Sequence, residues 1–291
     1  MEYILNEMNF AEAVKNEFIQ QNSPQIKLLF LGSSQIERAV NPKYLSITAV
    51  NLANASQTLY EDFQLLKFFQ PKLPNLKMVV IEISYDKLER DKSHVLPIID
   101  PKNLKFYGVN TFDRQIKIQD NFLFHFSPQY FSKKLEEEIF STSSIELNKY
   151  GFDENKYDGA YSRNADYILI ENIKNNENYK KNILLLDKIL TYSYKNKLKI
   201  MVYHPPTHKS YNNLRDPKLM EKWKNLMDSL KSKHPDIPFF IEDTNEDFTR
   251  KFFDDGNHLN PIGAEKATKR LDSVIHVKYP QLFKEINGIH E

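Results

Sequence analysis

The sequence predicts an α/β sandwich, a mostly parallel sheet with helices on both faces. Three observations carry that expectation. Short apolar runs recur at Ile26–Leu31, Ala49–Leu52, Met78–Ile83, Leu198–Tyr203 and Ile237–Ile241, all of strand length. Stretches with apolar residues at helical spacing fall between several of these runs. A chain of 291 residues can also bury a sizeable core, and a single domain over 1–291 is expected.

The elements follow in order. Residues 9–20 suit an amphipathic helix, with Phe10, Ala13, Val14 and Phe18 on one face. Ile26–Leu31 is apolar except for Lys27 and lies between Pro24 and Gly32, as a buried strand would. Ala49–Leu52 is the second strand. Leu59, Phe63, Leu66 and Phe69 repeat at helical spacing until Pro71 stops them. Met78–Ile83 is the third strand. Residues 90–178 then lose the rhythm, scattering Tyr107, Phe124, Phe126, Tyr130 and Phe131 among charges. That stretch is too aromatic for a disordered linker. It is expected to form an insertion of helices and loops over one end of the sheet, as a lid or substrate wall, with plain packing against the core as the alternative. A helix over Asn182–Tyr194 precedes the fourth strand, Leu198–Tyr203, which Pro205 and Pro206 end. A helix over Pro217–Lys231, the strand Ile237–Ile241 and a last helix from Pro261 to about Val277 complete the chain, with Pro261 suited to a first turn.

Composition excludes several function classes. Forty basic residues face 39 acidic ones, leaving +1 and no general nucleic-acid footprint. The absence of cysteine rules out disulfides, thiolate zinc sites and a cysteine nucleophile. No run approaches the ~18 apolar residues of a membrane span. No basic-then-apolar leader opens the chain, so a cytoplasmic location is expected, with envelope attachment through a segment outside this chain as the alternative. His204 and His208 have the i, i+4 spacing of a helical metal site, but Pro205 and Pro206 lie between them. No metal or cofactor is expected.

Two segments carry chemistry. Gly32-Ser33-Ser34 ends the first strand, and Gln35-Ile36-Glu37-Arg38 can open a helix. A serine there presents its hydroxyl at the carboxyl end of a parallel strand, where open α/β sheets form clefts. The helix start also aims free N–H groups at a developing oxyanion. Asp255 and His258, three residues apart, can meet on one turn. The carboxylate would orient the imidazole while the other ring nitrogen faces Ser34. Alternatives stay open: Ser34 or Ser33 as a helix cap, Asp254 as the histidine's partner, and Arg38 as a salt-bridge residue. Three of the seven glycines, Gly32, Gly256 and Gly263, fall in these segments, where a side chain would obstruct the backbone.

The combination resembles the SGNH (GDSL-type) hydrolase superfamily. Gly32-Ser33-Ser34 resembles its first block, with serine for the usual aspartate, and Asp255-Gly256-Asn257-His258 its last. Asn51-Leu52-Ala53-Asn54-Ala55-Ser56-Gln57-Thr58 is similar to the second block, with Ser56 where a glycine donates to the oxyanion. The third block falls at Ile83-Ser84-Tyr85-Asp86, with Tyr85 in the place of its asparagine. The resemblance covers roughly 26–86 and 199–270. It implies a flavodoxin-like three-layer sandwich with a five-stranded, mostly parallel sheet. It also implies catalysis by Ser34, His258 and Asp255, with the Ser34 and Ser56 amides as oxyanion hole. Losing the asparagine donor costs ~2.7–4 kcal/mol of transition-state stabilisation unless Asn54 or the Tyr85 hydroxyl replaces it. Asn54, Tyr85, His208 and Lys209 are the candidate substrate-binding residues. The Gly-Ser-Ser block resembles a branch acting on acyl groups of envelope polymers, including the teichoic-acid D-alanylation protein and relatives of alginate acetyltransferases. A serine esterase or O-acyltransferase is therefore expected, acting on a small-molecule or polysaccharide acyl ester. The alternative is an SGNH-fold module that binds glycan or a partner protein.

Overall fold

Each apolar run becomes a strand of one parallel sheet. In the computed structural model, which describes residues 2–140, 146–155 and 176–284, the strands are β1 (Leu28–Leu31), β2 (Ala49–Asn51), β3 (Met78–Ile81), β4 (Lys199–His204) and β5 (Phe239–Ile241). They run in the order β2-β1-β3-β4-β5, and every pair is parallel. This is the flavodoxin-like order, whose direction of winding reverses between β1 and β3. All residues of β1 and β3 are buried, which explains why both read as unbroken apolar runs rather than alternating ones.

The helices are α1 (Glu2–Glu7), α2 (Ala11–Asn22), α3 (Ser34–Ala39), α4 (Leu59–Phe69), α5 (Ile99–Lys102), α6 (Leu123–Phe126), α7 (Pro128–Ile139), α8 (Asn176–Lys195), α9 (Lys209–Asn212), α10 (Pro217–Lys233), α11 (Pro261–Lys278) and α12 (Gln281–Lys284). Alternate strand residues sort them into two layers. Leu29, Leu31, Val79, Ile81 and Val202 pack with Phe18 of α2, Leu66 of α4, Ile189 of α8 and Trp223 of α10. Phe30, Val80, Met201 and Tyr203 face the other way, onto Ile36 of α3 and Leu271 of α11. Local signals set the ends. Thr58 and Glu61 form a capping box at the start of α4, while Asp216 and Asn260 cap α10 and α11 just before a proline.

The stretch that lost its rhythm contributes short helices with a third apolar cluster of their own. Ile98, Ile99, Leu123, Phe131 and Leu135 pack there with Leu5, Met8 and Phe10 from the N-terminal segment. The expected insertion ran to 178, yet 176–178 already belong to α8, six residues earlier than the predicted helix start. Residues 141–145 and 156–175 of that insertion lie outside the described residues.

Candidate active site

Gly32 follows β1 directly, and nothing larger fits there. A Cβ would sit 2.6 Å from Ile36 Cγ1 and 2.8 Å from Glu82 Oε2. The chain therefore turns tightly into α3, with Ser33 as its N-cap and Ser34 as its first residue. The Ser33 amide and hydroxyl both donate to the fully buried Glu82, at 2.6 Å to Oε2 for the amide and 2.8–3.0 Å to its two oxygens for the hydroxyl. Since Glu82 follows β3, this bond bridges the two strands where the winding reverses, the position at which open α/β sheets bind ligands.

The last block folds onto this edge. Phe253 and Leu259 form an antiparallel bridge, and the Asp254 amide donates to the His258 carbonyl at 3.0 Å. Within that turn Asp255 Oδ1 accepts the amides of Asn257 (3.0 Å) and His258 (2.9 Å). Its Oδ2 lies 2.7 Å from His258 Nδ1, and His258 Nε2 lies 2.8 Å from Ser34 Oγ. Burial pushes the Asp255 carboxyl up, but the bond to His258, its charge and the two amides outweigh it and hold the group below its ordinary range. Asp255 thus stays ionised, with its stabilising contribution lost only as pH falls below that range. With the proton on Nδ1, the ring donates to Asp255 and accepts from the Ser34 hydroxyl. A hydroxyl beside an oriented base is the arrangement that activates serine.

The alternatives separate cleanly. Ser33, not Ser34, caps the helix, so the Ser34 side chain is left to His258. Asp254 is ion-paired with Arg38, which also reaches Asp153 at 3.7 Å. Burial pushes the Asp254 carboxyl up while Arg38 opposes it.

The residues proposed around the hydroxyl lie at different depths. The Ser34 amide is the first of α3 and has no acceptor within the helix. Ser56 stands at φ 60, the left-handed region, where the second block resembled has glycine. A side chain there costs ~1–2 kcal/mol, and glycine returns ~0.5–1 kcal/mol of that in chain entropy. Ser56→Gly is expected to raise stability by up to ~1 kcal/mol in denaturant titration, whereas Ser56→Val lowers it. Asn54 is occupied by the fold: its amide donates to Glu12 at 2.6 Å, and its Oδ1 accepts the Ala55 amide at 2.8 Å. Tyr85 is only 4 % exposed and packs in the core layer of α4, α8 and α10, beneath the Arg215 guanidinium. Burial pushes its hydroxyl up to about 12. His208 lies beside the last block, its amide donating to the Gly256 carbonyl at 2.8 Å and its ring 5.5 Å from that of Phe253. Lys209 is exposed on the next residue.

Glu82 escaped the sequence reading, although a carboxylate inside the apolar run Met78–Ile83 was its visible signal. Glu82→Gln places an amide donor against two Ser33 donors. The expected result is a loss of ~1–3 kcal/mol in stability, read by denaturant titration. Among the described residues, no group of three or more His, Cys, Asp or Glu is arranged to hold a metal ion, and no helix is long and apolar enough to cross a membrane.

The sequence matches no protein-family model and no curated protein. Among solved structures, the chain is similar to a Bacteroides fragilis protein described as a "putative acylhydrolase", at 13 % identity and a TM-score of 0.43, covering 94 % of this chain and 99 % of that one. At that identity and score the likeness carries no argument about activity.

Proposed function

We propose that the chain is a serine-dependent esterase or O-acyltransferase. Ser34 attacks the ester carbonyl, His258 takes its proton and returns it to the leaving alcohol, and Asp255 orients and steadies the imidazolium. The amides of Ser34 and Ser56 receive the oxyanion. Water or a second hydroxyl then releases the acyl group from Ser34, which decides between hydrolysis and transfer. The observation that carries this reading is the continuous relay from Asp255 through His258 to Ser34, at 2.7 and 2.8 Å. An acylated carbohydrate, such as an envelope or capsular polysaccharide, is the proposed substrate.

Intact-mass spectrometry after treatment with a fluorophosphonate tests it. One adduct is expected on the wild type and none on Ser34→Ala. Asp255→Asn is expected to lower kcat for a short acyl ester by about 10⁴-fold, because the wrong imidazole tautomer then faces the serine. A wild type without adduct or ester turnover would favour a second reading, a glycan- or protein-binding module. The burial of Tyr85, which leaves the third-block donor without an evident replacement, favours that reading.

A further inference from the structure

Against the second turn of α3 lies a cavity of about 270 Å³, just below the ~300–1,000 Å³ usual for small-ligand sites. Its lining includes Phe10, Glu12, Glu37, Lys102, Tyr130 and Phe152. Glu37 and Arg38 belong to α3, three and four residues after Ser34, so all three share one face of that helix. The cavity therefore borders the α3 face on which Ser34 lies, one turn beyond it, while Ser34, Asp255 and His258 are not themselves among its lining residues. Through Arg38 and its partner Asp254 it also adjoins the Asp255 turn.

Its chemistry is specific. Glu12 is 2 % exposed; one oxygen receives Asn54 and, at 2.6 Å, Lys102, while Oε2 has no hydrogen-bond partner among the described residues. A buried acceptor of this kind costs ~1–3 kcal/mol unless something donates to it. Glu37 is a second carboxylate lining the same space, pushed up by burial against the opposing charge of Lys15. The two carboxylates are matched by Lys15 and Lys102, and Arg38 faces both Asp254 and Asp153. The acidic groups outnumber the basic ones, so an anionic ligand is repelled. An apolar acyl chain is disfavoured as well, since it would displace water from these charged groups and offer no donor to the Glu12 and Glu37 carboxylates. A neutral ligand with several hydroxyls meets both demands, donating to Glu12 and Glu37 while an apolar ring face lies against Phe10, Tyr130 or Phe152.

Resting on the acyl-ester reading, we infer that this cavity is the subsite for the alcohol half of the ester, a single sugar ring, with Glu12 and Glu37 as hydroxyl acceptors that set specificity. Saturation-transfer NMR with methyl glucoside, methyl galactoside and N-acetylglucosamine tests it on the intact chain. At least one probe is expected to bind, with Kd raised fivefold or more by Glu37→Gln and by Phe152→Ala. Lys231→Ala, on α10 and outside the cavity lining, serves as the control and leaves Kd unchanged. Circular dichroism identifies a variant that has failed to fold, and Glu37→Gln keeps the test intact should Phe152→Ala do so. No binding by any probe, or affinity unchanged in both variants, overturns the assignment. Fluorophosphonate labelling of the same wild type separates the two claims. Labelling without sugar binding removes the subsite and leaves the nucleophile, whereas sugar binding without labelling does the reverse.

Discussion

Ser34→Ala is expected to lower kcat on a short acyl ester by roughly 10⁴–10⁶-fold, and His258→Ala by a similar factor. The double variant should be no worse than either single one, because the hydroxyl and its base act as a unit. The geometry makes this a sharp test. Ser33 caps α3 and is held by Glu82, so removing the Ser34 hydroxyl takes away neither the cap nor the turn. A collapse in rate with unchanged thermal stability therefore isolates chemistry from folding. Additive losses in the double variant would mean that Ser34 and His258 do not share a proton. Full activity in Ser34→Ala would end the nucleophile reading altogether.

What could be read in the sequence follows from how far each signal reaches along the chain. The central strands were legible because a strand buried on both faces is apolar throughout, as Leu28–Leu31 and Met78–Ile81 are, whereas Phe239–Ile241 is apolar though only half-buried. Asp255 and His258 were legible because both lie on one turn. The three-residue spacing to His258 favoured Asp255 over Asp254, but the partner that Asp254 takes instead was out of local reach, since Arg38 and Asp254 are 216 residues apart. Ser33 is held by Glu82 across 49 residues, and Asn54 is bonded to Glu12 across 42. Nothing in the local pattern of Asn54 or Tyr85 says that one is occupied by a buried carboxylate and the other faces the core. Residues 90–140 were hardest to read, because their short helices bury their apolar residues against Leu5, Met8 and Phe10 rather than along one long amphipathic face.

The largest stability effect is expected at a pair that holds up the site from behind. Lys87 Nζ lies 2.6 Å from Asp62 Oδ2, with side chains 2 % and 0 % exposed. Asp62 also accepts the Gln57 amide at 2.7 Å, and Gln57 follows Ser56 in the loop proposed to carry an oxyanion donor. Burial pushes the Asp62 carboxyl up, and Lys87 is the main force opposing it. Lys87→Met leaves that carboxyl buried without its cation, and breaking a buried pair in this way costs ~3–5 kcal/mol. Denaturant titration reads the loss, and Asp62→Leu combined with Lys87→Met is expected to recover much of it, because a buried ion pair is often matched by apolar residues of similar volume. Activity separates the two roles of Asp62. The double variant restores stability but not the bond to Gln57, so kcat should stay depressed if that bond sets the Ser56 loop. Recovery of kcat together with stability would instead assign the pair to folding alone.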